Sequence, residues 1–180
     1  TDPESGYEAV LPCRCTAVDT RIEQFNRAQL PARYVAATLQ TFEVGRDKGL
    51  RNARHKAFTF AQEFVPGARG LLYHGPCGTG KTHLMVAILR HLAVNRGVQV
   101  RFIEFMHLLA DLKARFGDPN RVGDPLADLV QVPVLAVDEL GKGRGTEWEL
   151  GVLDELISKR YNAGRTTLFT SNLNPSLTEG

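Results

Sequence analysis

Hydrophobic and polar positions divide this chain into alternating strand-like and helix-like stretches. Residues 70–74, Gly70-Leu71-Leu72-Tyr73-His74, are mostly apolar, and residues 82–90 continue with helical character, which predicts a buried strand, a turn and a helix. That helix is predicted to run to about Asn95, where Arg96-Gly97 supplies a C-terminal stop. Residues 98–103 alternate and include β-branched side chains, a second strand. In residues 106–116, Leu108, Leu109, Leu112 and Phe116 fall on one helical stripe. The stretch 117–125 carries every turn signal and reads as a loop, with one or two helical turns at 126–130. Residues 133–137 are wholly apolar and run into Asp138-Glu139-Leu140, the pattern of a strand buried on both faces that opens on a polar edge. Trp148, Leu150, Val152, Leu153, Leu156 and Ile157 build a further helix that ends near 161–164, and 165–172 is a β-rich run with a polar tip.

Ahead of the first strand the periodicity is helical. Val18, Ile22, Phe25 and Leu30 predict a helix over 18–30 with Asp19 as its cap and Pro31 as its stop. A short helix from Pro31 then runs into an irregular segment, with Tyr34 and Phe42 as core candidates. A longer helix over about 45–64 carries Leu50, Ala53, Ala57, Phe60, Ala61 and Phe64 on one face and Arg46, Lys48, Arg51, Arg54 and Lys56 on the other. Such a basic run is either a solvated face or a nucleic-acid contact. Residues 1–12 are polar, show no clear period and read as a mobile lead-in. Together these elements predict an α/β fold: a three-layer αβα sandwich around a parallel sheet of strands 71–74, 98–103, 134–138 and 167–171.

The turn after the first strand carries the chemistry. Gly75-Pro76-Cys77-Gly78-Thr79-Gly80-Lys81-Thr82 fits the phosphate-binding pattern G-x-x-x-x-G-K-[ST] at every required position, in the strand–turn–helix setting that the pattern needs. Glycines let several backbone N–H groups converge on one phosphate, and the helix N-terminus adds partial positive charge. Lys81 supplies a full charge, and Thr82 a hydroxyl for the Mg²⁺ that bridges the outer phosphates of ATP or GTP. Asp138, at the end of the apolar strand, takes the second metal-holding position; a carboxylate directly after it, Glu139, can polarise an attacking water as a general base, which favours a hydrolase over a kinase. Asn172 reaches the same water if its strand lies between the loop strand and the Asp138 strand; otherwise it caps a turn before Asn174-Pro175.

Composition narrows the class. The chain has 180 residues, 43% hydrophobic and 23% charged, which suits one globular domain with a full core. A formal net charge of +2 is too small to argue for nucleic acid by itself. No apolar run approaches the roughly 20 residues that cross a bilayer, so no membrane partner and a cytoplasmic setting are expected. Three cysteines, one of them Cys77 in the loop, make no disulfide framework; Cys13-Arg14-Cys15 is either two free thiols or half of a zinc site.

GPCGTGKTHL at 75–84, VLAVDEL at 134–140 and TSNL at 170–173 resemble the AAA+ ATPases of the DnaC/DnaI helicase-loader and IstB transposition-helper group. The segment Leu30-Pro31-Ala32-Arg33-Tyr34 with Thr38 to Phe42 is similar to the group's lead-in beside the adenine, and His83 adds to the specificity of the loop. The resemblance implies ATP with Mg²⁺, phosphate binding by residues 75–83, Walker B roles for Asp138 and Glu139, and a sensor 1 role for Asn172. It also implies contacts to single-stranded DNA, homo-oligomers assembled through the nucleotide site, and a replicative helicase or a transposase as partner. Residues 1–17 are then expected to be a leader, with Cys13 and Cys15 the possible end of a zinc-binding segment, and 18–180 the AAA+ core. The group continues past sensor 1 with an arginine finger and a helical lid, so slow hydrolysis is expected of a chain that stops before them, since such fingers contribute about 10³ to 10⁵ in rate. A small-molecule kinase and a non-hydrolysing nucleotide-gated scaffold remain the readings from other classes.

Overall fold

The computed structural model describes residues 14–115, 124 and 126–173, with side chains from Val18 onward. The predicted lead-in, most of the 117–125 loop, Phe116 and the Asn174-Pro175 turn lie outside these residues. Helices α1 (Arg14–Arg27) and α2 (Lys48–Glu63) precede β1 (Leu72–His74). There follow α3 (Lys81–Arg96), β2 (Val100–Glu104), α4 (Phe105–Arg115), α5 (Ala127–Gln131), β3 (Val134–Leu140), α6 (Glu147–Asn162) and β4 (Thr166–Ser171). The four strands form one parallel sheet in the order β1-β4-β3-β2. Parallel neighbours require crossovers, and the intervening helices supply them.

The sheet separates two apolar layers. Val134 and Ala136 of β3 pack with Leu84, Met85, Ile88 and Ala61 on the α2–α3 side, whereas Leu135 and Val137 pack with Phe105, Leu109 and Leu156 on the α4–α6 side. Alternate residues of one strand point to opposite faces, so a wholly apolar run is what a strand covered on both sides requires. The predicted three-layer arrangement and all four strands are present, with boundaries moved by one or two residues. Val98, expected in β2, instead closes the end of α3: Gly97 is left-handed at φ 64° and the Val98 amide bonds Leu92 O at 3.0 Å.

Four expectations need correction. Strand β1, expected to be buried, lies at the edge of the sheet and leaves Leu72 47% exposed. Helix α1 begins at Arg14 and ends at Arg27 rather than spanning 18–30, so Asp19 is no cap; Val18 and Ile22 of its expected stripe are 53% and 54% exposed. Helical spacing marks a face, and here only the end of that face, around the buried Ala28, meets the core. Helix α2 begins at Lys48, because the Asp47 carboxylate accepts from the Leu50 amide at 2.9 Å and caps it there. In α6, Leu150 and Ile157 of the expected stripe are exposed while Glu149 is buried, its carboxylate turned back to the amides of Gly145 and Thr146 in a capping box.

Arg160 of α6 is wholly buried. Its guanidinium donates to the carbonyls of Leu129, Val130, Val132 and Thr166 and to the Thr167 hydroxyl. It thereby supplies donors to the carbonyls that the last turn of α5 leaves open and ties them to the start of β4. Burial, with the neighbouring Arg165 charge, lowers its pKa to about 10. Replacing Arg160 with Met is expected to destabilise the fold by about 3 kcal/mol or more, because several buried carbonyls lose their donor at once. Chemical denaturation checks this, and an unchanged midpoint contradicts it.

Candidate functional site

All four strands end at one edge, and the candidate residues gather there. The loop of residues 75–82 leaves β1 and turns into α3; the Gly75 amide bonds Ser171 O at 3.2 Å, fixing the loop against the tip of β4. Gly80 is left-handed at φ 84°, and a Cβ on it would lie 2.5 Å from Cε2 of Phe42. Both the turn and the close approach of that ring exclude any other residue. No side chain caps α3, and its first turn holds no acidic residue. Its leading N–H groups thus face the loop with the positive end of the helix dipole behind them.

Within the loop, Thr79 donates to Pro76 O at 2.9 Å. Lys81 Nζ arches back to the carbonyls of Gly75 and Pro76, both at 2.8 Å. Cys77 is a free, exposed thiol. His83 turns away from the loop: its Nε2 lies 3.0 Å from Thr38 O and 3.4 Å from the Thr41 hydroxyl, and its ring meets Phe42 edge-on at 5.4 Å. It therefore fastens the 38–42 segment to the start of α3.

Thr82 and Asp138 meet across the edge. The Thr82 hydroxyl lies 3.0 and 3.2 Å from the two carboxylate oxygens of Asp138, which is almost completely buried. Burial pushes the Asp138 carboxyl above the usual carboxylate range; hydrogen bonds from Thr170 and Thr82 oppose that, and the Glu139 charge adds to it. Hard oxygen donors on a desolvated carboxylate are the chemistry that Mg²⁺ takes, with its remaining positions left to phosphate oxygens and water. The donor set therefore fits the expected ion.

Glu139 stands in an irregular backbone. Strand β3 slips register against β4 between Val137 and Leu140, and Glu139 takes φ 61°, a left-handed conformation rare for a residue of its size. Its carboxylate pairs with Lys142 Nζ at 2.6 Å, and that pairing raises the lysine pKa. Strand β4 does lie between β1 and β3, the arrangement that Asn172 requires. Asn172 itself is exposed just past the strand, and Thr170 is the β4 side chain that touches Asp138. Thr170 and Lys142 carry no assignment from the sequence. A threonine at a buried position near the polar end of a central strand was the available signal for the first.

Lys48, Arg51 and Lys56 of α2 are exposed, as is Arg46 just ahead of the helix, and Arg54 is half-buried. Cys13, and the side chain of Cys15, lie outside the described residues.

The profile of the IstB-like ATP binding protein family matches residues 11–177. The replicative helicase loader DnaC of Escherichia coli (strain K12) is 27% identical over 151 residues, covering 83% of this chain and 61% of that protein. The crystal structure of the DnaC helicase loader superposes with a TM-score of 0.71 at 29% identity, covering 80% of this chain and 81% of that one. For the crystal structure of DnaI the figures are 0.68 and 28%, covering 86% and 81%. This chain thus spans about three fifths of the length of the curated DnaC relative.

The buried Asp138 generates a stability prediction. A carboxyl whose pKa is higher folded than unfolded binds more protons in the native state between the two values, so it stabilises the fold as pH falls and costs stability as pH rises. In thermal melts without divalent metal at pH 7, Asp138→Asn is expected to melt no lower than wild type. The wild type should gain on the variant as the pH is lowered; a variant that melts well below wild type at neutral pH contradicts this.

Proposed function

The chain belongs to the IstB-like ATP binding protein family, and on that premise we propose that it binds Mg·ATP at residues 75–82 and hydrolyses it. The observation that carries the proposal is the continuous hydrogen-bonded path from Thr82 on the loop to Asp138, Thr170 and the Glu139 amide at the strand edge. A phosphate loop alone binds; joined to two adjacent carboxylates it can also activate water.

In the proposed reaction the backbone N–H groups of Gly78, Gly80, Lys81 and Thr82 surround the outer phosphates, and Lys81 exchanges its two loop carbonyls for phosphate oxygens. Thr82 and Asp138 would hold Mg²⁺, which when bound would supply positive charge against the phosphates. Glu139 accepts a proton from a water whose oxygen attacks the γ-phosphorus, and the bond from that phosphorus to the bridging oxygen breaks to leave ADP and phosphate. Lys142 Nζ holds Oε1 of that carboxylate at 2.6 Å, which leaves Oε2 to take the proton. Asn172 is proposed to orient the water from the neighbouring strand tip, and His83 to keep the 38–42 segment in place beside the base.

The wider role is a proposal in the same sense. Likeness to DnaC and DnaI in sequence and fold favours ATP-dependent loading or remodelling of a replicative helicase on single-stranded DNA. The exposed basic residues of α2 are then the DNA contact, and neighbouring copies complete the nucleotide site. The resemblance of its motifs to the transposition-helper members of the group leaves a transposase as the second proposed partner.

Lys81→Ala is expected to weaken ATP binding by about 100-fold or more, whereas Glu139→Gln should bind ATP normally and lose turnover by about 10² to 10⁴. Calorimetry and phosphate release, with and without single-stranded DNA, separate these outcomes. Undiminished ATP affinity in Lys81→Ala, or undiminished turnover in Glu139→Gln, contradicts the assignment. Co-precipitation with a purified replicative helicase or a purified transposase decides between the partners.

A further inference from the structure

We propose that Thr170 is a positioning residue that sets the two carboxylates of the hydrolytic site relative to each other, a role that rests on the ATPase reading above. Thr170 is buried near the end of β4, the strand between β1 and β3. A hydroxyl has one proton to give and lone pairs to accept with, and here both capacities are used on adjacent residues of β3. The proton goes to Oδ1 of Asp138, while the oxygen accepts from the Glu139 amide at 2.9 Å.

This bond replaces a ladder bond. From Val137↔Phe169 to Leu140↔Ser171, β3 advances three residues while β4 advances two, so β3 carries one residue more than regular pairing accommodates. A residue inserted in this way loses its strand partner, and its amide must be satisfied elsewhere. The Thr170 hydroxyl satisfies the Glu139 amide, and the Ser171 hydroxyl, donating to Leu140 O at 2.9 Å, closes the other side of the irregularity. Between these two hydroxyls Glu139 is held at φ 61°.

The consequence is functional. Successive side chains of a regular strand point to opposite faces, which would send Asp138 and Glu139 apart. With the left-handed residue in place, Asp138 stays against Thr82 while Glu139 reaches Lys142 in the 141–145 turn beyond the strand edge. One hydroxyl therefore orients the metal-holding carboxylate and fixes the backbone that aims the proton-accepting one. The hydrogen bonds of this hydroxyl go to β3 and not to the phosphate loop, so its removal should leave metal-free nucleotide binding intact.

The test uses the 180-residue chain and its Thr170→Val and Thr170→Ser variants. A fluorescent ATP analogue is titrated in EDTA and then against Mg²⁺, and phosphate release is measured with ATP. Wild type that neither binds the analogue nor releases phosphate sinks the ATPase reading itself. With an active wild type, Thr170→Val is expected to bind the analogue in EDTA within about 3-fold of wild type, to need about 10- to 100-fold more Mg²⁺ for the metal-dependent gain, and to lose turnover by a similar factor. Thr170→Ser, which keeps the hydroxyl, should restore both. If Thr170→Val fails to fold, Thr170→Ala takes its place in the same comparison with Ser. Equal Mg²⁺ requirement and turnover in the hydroxyl-free variant and wild type overturns the proposal while leaving the ATPase reading standing, and so does a serine variant as impaired as the hydroxyl-free one.

Discussion

A single buried carboxylate holds this site together. Asp138 sits at the end of the central apolar strand, and the hydroxyls of Thr82 and Thr170 reach it from the phosphate-loop helix and from β4. Three separate parts of the chain thus converge on one anionic group. Its burial is unfavourable to the charge, as the raised pKa shows, and the two hydroxyls offset only part of that cost. Such an arrangement persists where the rest of the fold over-determines it, and it is suited to a cation that would relieve the remainder.

The rest of the fold keeps that convergence in place. Strand β3 is covered on both faces, by Leu84, Met85 and Ile88 on one side and by Phe105, Leu109 and Leu156 on the other, so Asp138 is delivered by a strand with little freedom to shift. The order β1-β4-β3-β2 pairs β4 with the strand that bears the carboxylates, which is why a β4 hydroxyl can reach both Asp138 and the Glu139 amide. Arg160 fastens the far end of β4 to α5, and the phosphate loop is fastened to its near end through Gly75 and Ser171. Phe42 and His83 bring the segment ahead of the first strand onto Gly80, so the elements that would surround a nucleotide are already assembled.

The strand–loop–helix around residues 75–82 was legible in the sequence because its constraint is local: glycine spacing, a lysine and a threonine between an apolar run and a helix. The Asp138 strand was legible because burial on both faces leaves an unbroken apolar run ahead of the carboxylates. What periodicity does not encode is partnership across the sheet. The extra residue in β3, the left-handed Glu139 and the role of Thr170 follow from pairing with a strand more than 25 residues further along, and no local pattern reports that pairing. Arg160 was invisible for a related reason, since a charged residue in an amphipathic helix reads as solvent-facing until its carbonyl partners are placed around it. The opposite error occurred at Val18 and Ile22, where apolar spacing suggested a core face that the fold leaves exposed.

Residues 75–82 and Asp138 are proposed to make one metal-nucleotide site. Paramagnetic broadening by Mn²⁺ with ATP, read on the methyl signals of Thr82, Thr170, Val134 and Val100, tests it directly. Strong broadening of Thr82 and Thr170 is expected only when ATP and Mn²⁺ are both present, with Val134 and Val100 at the opposite edge of the sheet much less affected. Unbroadened Thr82 and Thr170 signals under saturating ATP and Mn²⁺, or broadening centred elsewhere in the molecule, would contradict it.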